Sequence, residues 1–165
     1  PYSGDHVLRL PVTEQKTTAL TICRIEPENN IEMLITNALR SDIEEYTVVG
    51  NWNNSDYSKG LYDKYCGNEK LNLINPVYNY HELARMREAC SWYLHGHSVG
   101  GTNPSLVEML FYDCHICCLD VSFNRFTAQN AANYFANETE LLAQISSILS
   151  TELKIDNVSR DEMRS

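Results

Sequence analysis

The residues with the most chemical content lie in one run, His95-Gly96-His97-Ser98-Val99-Gly100-Gly101-Thr102-Asn103-Pro104-Ser105-Leu106-Val107-Glu108. Two imidazoles alternate with a glycine, so on an extended backbone His95 and His97 share one face, as reactive groups or as structural hydrogen-bonders. The glycines let the main chain come close to a ligand. Asn103 suits a helix N-cap, Pro104 the first helical position, and Glu108 looks back one turn later. Exposed N–H groups at such a start favour an anion, a phosphate for example. The plainer alternative is a strand-to-helix turn whose glycines serve tight geometry alone. A second cluster is Cys23-Arg24-Ile25-Glu26-Pro27-Glu28-Asn29-Asn30. The Arg24 guanidinium either forks onto phosphate oxygens or pairs with Glu26 or Glu28 at the surface.

Alternating strands and helices must position these clusters. The apolar run Thr18 to Ile25 is long enough for a buried strand, and Ile31, Leu34, Ile35, Ala38 and Leu39 recur at helical spacing over Asn30 to Arg40. Tyr46 to Gly50 is β-branched and aromatic, Ser55 to Tyr65 suits a helix, and Leu71 to Ile74 is a short strand closed by Asn75-Pro76. A helix over Tyr80 to Ala89 leads to strand Trp92 to Leu94, then to a helix from Pro104 to Phe111 and a strand over His115 to Val121. The same spacing predicts a helical stretch from Ala128 to Asn133, an edge strand at Tyr134-Phe135, and a last helix over Glu138 to Leu149 with Leu141, Leu142, Ile145 and Leu149 inward.

Strands apolar on both faces, separated by helices, require a parallel sheet covered on both sides, and right-handed crossovers make it doubly wound. The expected fold class is α/β, Rossmann-like, with about six strands. Residues 1–16 read as a linker or entry segment, 17–150 as the domain, and 151–165 as a polar tail. Such sheets bind ligands beyond the carboxyl ends of their strands. The loops at Arg24–Asn30, Gly50–Asn54, Asn75–Val77 and His95–Asn103 all fall there, which describes a site for a phosphorylated ligand. Trp52 and Tyr78 read as packing residues, and Arg125 as a minor candidate for the same site.

Composition narrows the partners. With 13 basic and 22 acidic side chains the net charge is −9, so nucleic acid is not an expected partner. No stretch of about 18 apolar residues suggests a membrane span, and no basic-then-apolar leader suggests secretion. The chain opens with Pro1, as a piece cut from something longer would. Cys23, Cys66, Cys90, Cys114, Cys117 and Cys118 have no framework spacing and read as reduced thiols packed as small hydrophobes. On a strand, Cys-His-Ile-Cys-Cys at 114–118 points to alternate faces and cannot aim four ligands at one ion, so no metal is expected. The sequons at Asn53, Asn137 and Asn157 carry little weight without a leader.

Two segments resemble a known family. Cys23 to Asn30 followed by Ile31-Glu32-Met33-Leu34-Ile35 is similar to the first strand, turn and helix of the nucleotide-sugar domain of GT-B glycosyltransferases. Tyr93 to Glu108 resembles a subgroup of bacterial retaining enzymes that includes rhamnosyltransferases of surface-polysaccharide assembly. The resemblance runs from about Thr18 to Ile148.

The resemblance implies the C-terminal, donor-binding half of a two-domain GT-B enzyme, moving a hexose or deoxyhexose from a nucleoside diphosphate to a growing glycan. It implies Arg24 and His97 as catalytic candidates, with Arg24 on the donor diphosphate and the backbone near Val77 at the nucleobase. Asn29, Gly50 and Asn51 join the donor site, Gly100, Gly101, Thr102, Asn103 and Ser105 hold phosphate or sugar, and Glu108 takes ribose hydroxyls. Two departures stand out. Asn29 or Asn30 occupies the place of a usual lysine, and Gly100 that of a usual glutamate, so the sugar contact shifts to His97, Thr102 or Asn103. No cofactor or metal is implied, and no Asp-x-Asp pair ends a strand. The implied partners are a nucleotide-sugar, a glycan acceptor and an N-terminal acceptor-binding half, through which a cytoplasmic enzyme meets the inner face of the membrane. The alternatives are another nucleotide-binding α/β enzyme, such as a sugar epimerase, which would need G-x-G-x-x-G after the first strand, and a non-catalytic interaction domain of the same fold.

Overall fold

A computed structural model describes residues 7–8 and 17–149. Most of the expected linker and tail therefore lies outside the described residues. Six strands form one sheet: β1 (Thr18–Ile22), β2 (Glu45–Val49), β3 (Leu71–Ile74), β4 (Trp92–His95), β5 (His115–Leu119) and β6 (Asn133–Phe135). Their order is β3-β2-β1-β4-β5-β6, and every neighbouring pair is parallel. The helices are α1 (Ile31–Arg40), α2 (Asp56–Tyr65), α3 (Tyr80–Ala89), α4 (Pro104–Met109), α5 (Ser122–Ala128) and α6 (Glu138–Leu149).

Strand alternation divides the core in two. Ala19, Val48, Trp92, Leu94 and Cys117 point to one face, where Ile31, Leu34 and Ile35 of α1 and Leu141 and Ile145 of α6 cover them. Leu20, Val49, Tyr93, Ile116 and Cys118 point to the other, against Leu106 and Met109 of α4 and Ala128 of α5. Neighbours in sequence thus enter different cores, as a two-residue period demands. Cys117 and Cys118 part in the same way, and all six cysteines are free thiols.

The sheet is pinned at its centre by Thr21. Its hydroxyl donates to Leu94 O at 2.6 Å, tying β1 to β4, and stands 2.7 Å from Tyr46 OH on β2. With the Thr21 proton directed to Leu94, the Tyr46 phenol is the donor of the second bond. Burial, first among its causes, pushes the Tyr46 pKa up, so the phenol keeps that proton.

Three local expectations are corrected. β1 ends at Ile22, not Ile25, because Ile25 N–H turns away to Asn51 Oδ1 at 2.9 Å. β5 ends at Leu119: Asp120 N–H makes the last ladder bond, to Phe135 O at 2.8 Å, then Val121 N–H turns back to Leu119 O at 2.9 Å and α5 begins at Ser122. The helix placed at Ala128–Asn133 lies at Ser122–Ala128, followed by a 3-10 turn at Gln129–Ala131. That segment is mostly polar, and its helical face rests on Asn124 and Ala128 rather than on an apolar stripe, so periodicity missed it.

Candidate functional site

The strand order reverses between β1 and β4, and a cleft of about 660 Å³ opens beyond their carboxyl ends. A doubly wound sheet makes this crevice by topology, since the crossovers leave β1 and β4 in opposite directions.

The loops after β1 and β4 are laced together across this point. Ser98 N–H and Oγ both donate to Glu28 O, at 2.9 and 2.7 Å. Asn30 Nδ2 donates to Gly96 O at 2.8 Å, and Asn29 Oδ1 meets His97 Nδ1. Asn30 adopts the left-handed conformation (φ 51°), one that asparagine tolerates, and it is this that turns its amide towards Gly96 instead of capping α1. At Gly96 a Cβ would collide with Asn29 O and stand 3.2 Å from Asn30 Cβ, so the lacing needs a glycine there. Gly50 lies equally close, with a Cβ position 2.6 Å from Cys23 O.

The cleft gathers most of the residues expected to serve a ligand. Arg24 is exposed on its wall and forms no ion pair with Glu26 or Glu28. Asn29, Gly50, Asn51, Val77 and His97 line it together with Gly101, Thr102, Asn103 and Ser105. Asn103 caps α4 as expected, accepting from Ser105 N–H at 2.9 Å, and Pro104 takes the first helical position. The Ser105 amide is therefore engaged by its own cap, and the loop ahead of it faces the cleft. Cys23 is also on the wall. Burial outweighs the pull of Arg24 and pushes its thiol up to about 12, which keeps it from acting as a nucleophile.

His95 and His97 do share a face, their rings 5.8 Å apart, but their surroundings differ. His95 is 2% exposed, and burial, then His97, lowers its pKa to about 3. It is a buried neutral group. His97 is half-buried at the cleft, and burial followed by the nearby Arg24 charge lowers its pKa too.

Other candidates are placed elsewhere. Gly100 does not line the cleft; its φ of +117° makes the turn that returns the chain to α4. Glu108, expected at ribose hydroxyls, instead pairs with Arg87 of α3, their side chains 14% and 9% exposed. A guanidinium 5.9 Å from the Tyr112 ring centroid and nearly closed off from water draws the carboxylate away from the cleft. Arg125 reaches back to Asp120, its Nη2 2.7 Å from Oδ2, and so does not point at the cleft. Trp52 packs as expected, donating to Ile74 O at 3.1 Å, but Tyr78 does not: it is 86% exposed at the cleft rim.

Sequence reasoning missed Asn124. It is 1% exposed and donates to His97 O at 3.0 Å and Leu119 O at 2.9 Å, holding the histidine backbone from the β5 side. A lone asparagine in a polar segment gives no signal of this. Among the described residues, no cluster of His, Cys, Asp and Glu could hold a metal ion, and no helix is long and apolar enough to cross a membrane.

Fold and cleft together define an α/β domain with a crevice at its switch point. No protein-family profile and no curated protein sequence matches the chain. Solved structures do match it in fold. Sucrose-phosphate synthase from Thermosynechococcus elongatus superposes with a TM-score of 0.68 at 14% identity, over 88% of this chain and 38% of that one. Staphylococcus aureus TarM, as a variant in complex with UDP, fondaparinux and alpha-GlcNAc-glycerol, gives a TM-score of 0.74 at 12% identity, over 95% and 34%. The C-terminal domain of the LpcC glycosyl transferase group 1 family protein from Francisella tularensis gives 0.67 at 11%, over 100% and 93%. These neighbours are GT-B glycosyltransferases, and the six-strand parallel sheet matches their domains. The chain spans little more than a third of the first two.

Proposed function

We propose that this chain is the donor-binding domain of a GT-B glycosyltransferase and holds a nucleoside-diphosphate sugar in the switch-point cleft. The observation that carries the reading is the joint position of Arg24 and the 101–105 loop on one cleft, with the guanidinium exposed and without an acidic partner among the described residues. Departure of the diphosphate builds negative charge, and the Arg24 guanidinium, on the same cleft as the main chain of the 101–105 loop, is there to stabilise it. Val77 and the exposed Tyr78 ring mark the end of the cleft suited to the base. In this reading Arg24 is the leaving-group cation, and no step calls on a metal.

The narrower reading draws on the sequence of Tyr93 to Glu108: retention of configuration and a hexose or deoxyhexose donor, rhamnose among them. In that reading an N-terminal half supplies the acceptor site and any membrane contact, and this chain binds nucleotide while catalysing little by itself, because closure needs the second half. Titration calorimetry with UDP, GDP and dTDP tests the proposal. Saturable heat from at least one is expected, and silence from all three overturns it.

A further inference from the structure

Resting on the donor-binding reading, we infer that His97 reads a hydroxyl of the donor sugar through Nε2, with Asn29 as the positioning residue that fixes its tautomer. The argument begins at Asn29, which is 3% exposed. Its Nδ2 donates to Arg24 O at 2.7 Å, and a carbonyl can only accept, so the amide orientation is set. The amide oxygen then faces His97 Nδ1. An amide oxygen also only accepts, so Nδ1 carries the ring proton. In the neutral ring Nε2 is left with a lone pair.

Other neighbours hold the residue in place. Asn124 fixes its backbone carbonyl, His95 lies under it, and Phe123 meets it edge-on at 5.8 Å. Nε2 has no protein partner among the described residues and looks towards Gly100, where an added Cβ would stand 3.3 Å away. Glycine keeps that approach open. Burial first, then the Arg24 charge, disfavour a second proton on the ring and outweigh the opposing pull of Glu28.

A bare lone pair repels phosphate oxygens and welcomes a hydroxyl. The cleft is therefore divided by chemistry: Arg24 for the diphosphate, His97 for a group that donates. Asn29 is what makes the second half of that division, because a cationic side chain in its place could not accept from Nδ1.

The test compares each of UDP-glucose, GDP-mannose and dTDP-rhamnose with its own free diphosphate on the full chain. For at least one pair the sugar nucleotide should bind tighter. His97→Ala should erase that margin, about tenfold for one hydrogen bond, and leave the diphosphate affinity as it was. His97→Gln, whose amide oxygen can accept, should restore part of it. Nitrogen-15 imidazole spectra of the unliganded chain should show Nδ1 protonated and Nε2 bare, and Asn29→Ala should release this preference while far-ultraviolet circular dichroism stays native. The inference falls if wild-type Nε2 is protonated, if folded His97→Ala keeps the margin, or if it weakens the diphosphate equally. Binding of a diphosphate with no sugar margin sinks this inference alone. Absence of any diphosphate binding sinks the donor-binding reading, and this one with it.

Discussion

The two ends of the run from His95 to Glu108 have opposite fates. At its start, Gly96, His97 and Ser98 are held by hydrogen bonds with another loop, and His97 lines an open cleft. At its end, Glu108 is turned from the cleft and neutralises Arg87 beneath Tyr112. Fourteen residues of one motif thus divide between a binding surface and the packing of α3 on α4. A charged residue in a functional-looking motif serves structure when an opposite charge lies within reach and water does not.

If this division is right, substitutions at the two ends should separate stability from binding. The largest effect belongs to Glu108→Ala, which strands Arg87 and should cost about 3–5 kcal/mol in urea unfolding. The double change Arg87→Met with Glu108→Leu should regain most of it, because neither charge then remains. A loss under 1 kcal/mol for the single change would return Glu108 to the cleft.

At the other end, Arg24→Ala should weaken nucleoside-diphosphate binding by about 2 kcal/mol, roughly thirtyfold, with unfolding unchanged. Calorimetry and urea titration of the same protein separate the two outcomes. An unchanged affinity would remove the cation from the site.

At the first residue of the run, the buried His95, pH is the probe. His95 takes a proton near 6.5 when unfolded but only near 3 when folded. Between these values the unfolded chain binds more protons, so stability rises with pH, and the histidine should cost about 2 kcal/mol at pH 5 relative to pH 7.5. His95→Gln should flatten the dependence of stability on pH by that amount; an equal slope in both proteins would mean the ring is wet. The smallest effect is at the rim, where Tyr78→Ala should leave stability within about 0.5 kcal/mol, and a larger loss would show that the ring is packed after all.

Strands and helices were legible wherever one period dominated. Ile31, Leu34 and Ile35 sit where a period of 3.6 puts them, and β4 and β5 where two-faced apolar runs do. The segment after Leu119 was not, because its helix buries an asparagine, whose hydrogen bonds to His97 O and Leu119 O are made across the fold. Of the cleft, the loops and Arg24 could be read from their positions after strands. Tyr78 could not, since an aromatic ring looks the same in sequence whether it is covered or 86% exposed.

The order of apolar periods, the turn residues between them and the N-cap at Asn103 are local properties, and the amino-acid sequence alone determined a doubly wound sheet with its loops at one edge. Which polar atoms meet was decided only by the tertiary structure. Asn29 with His97 are 68 residues apart and Arg87 with Glu108 are 21. Such pairings follow from the distance and orientation of whole elements, and a pattern along the chain carries information about which face a residue takes, not about what waits there.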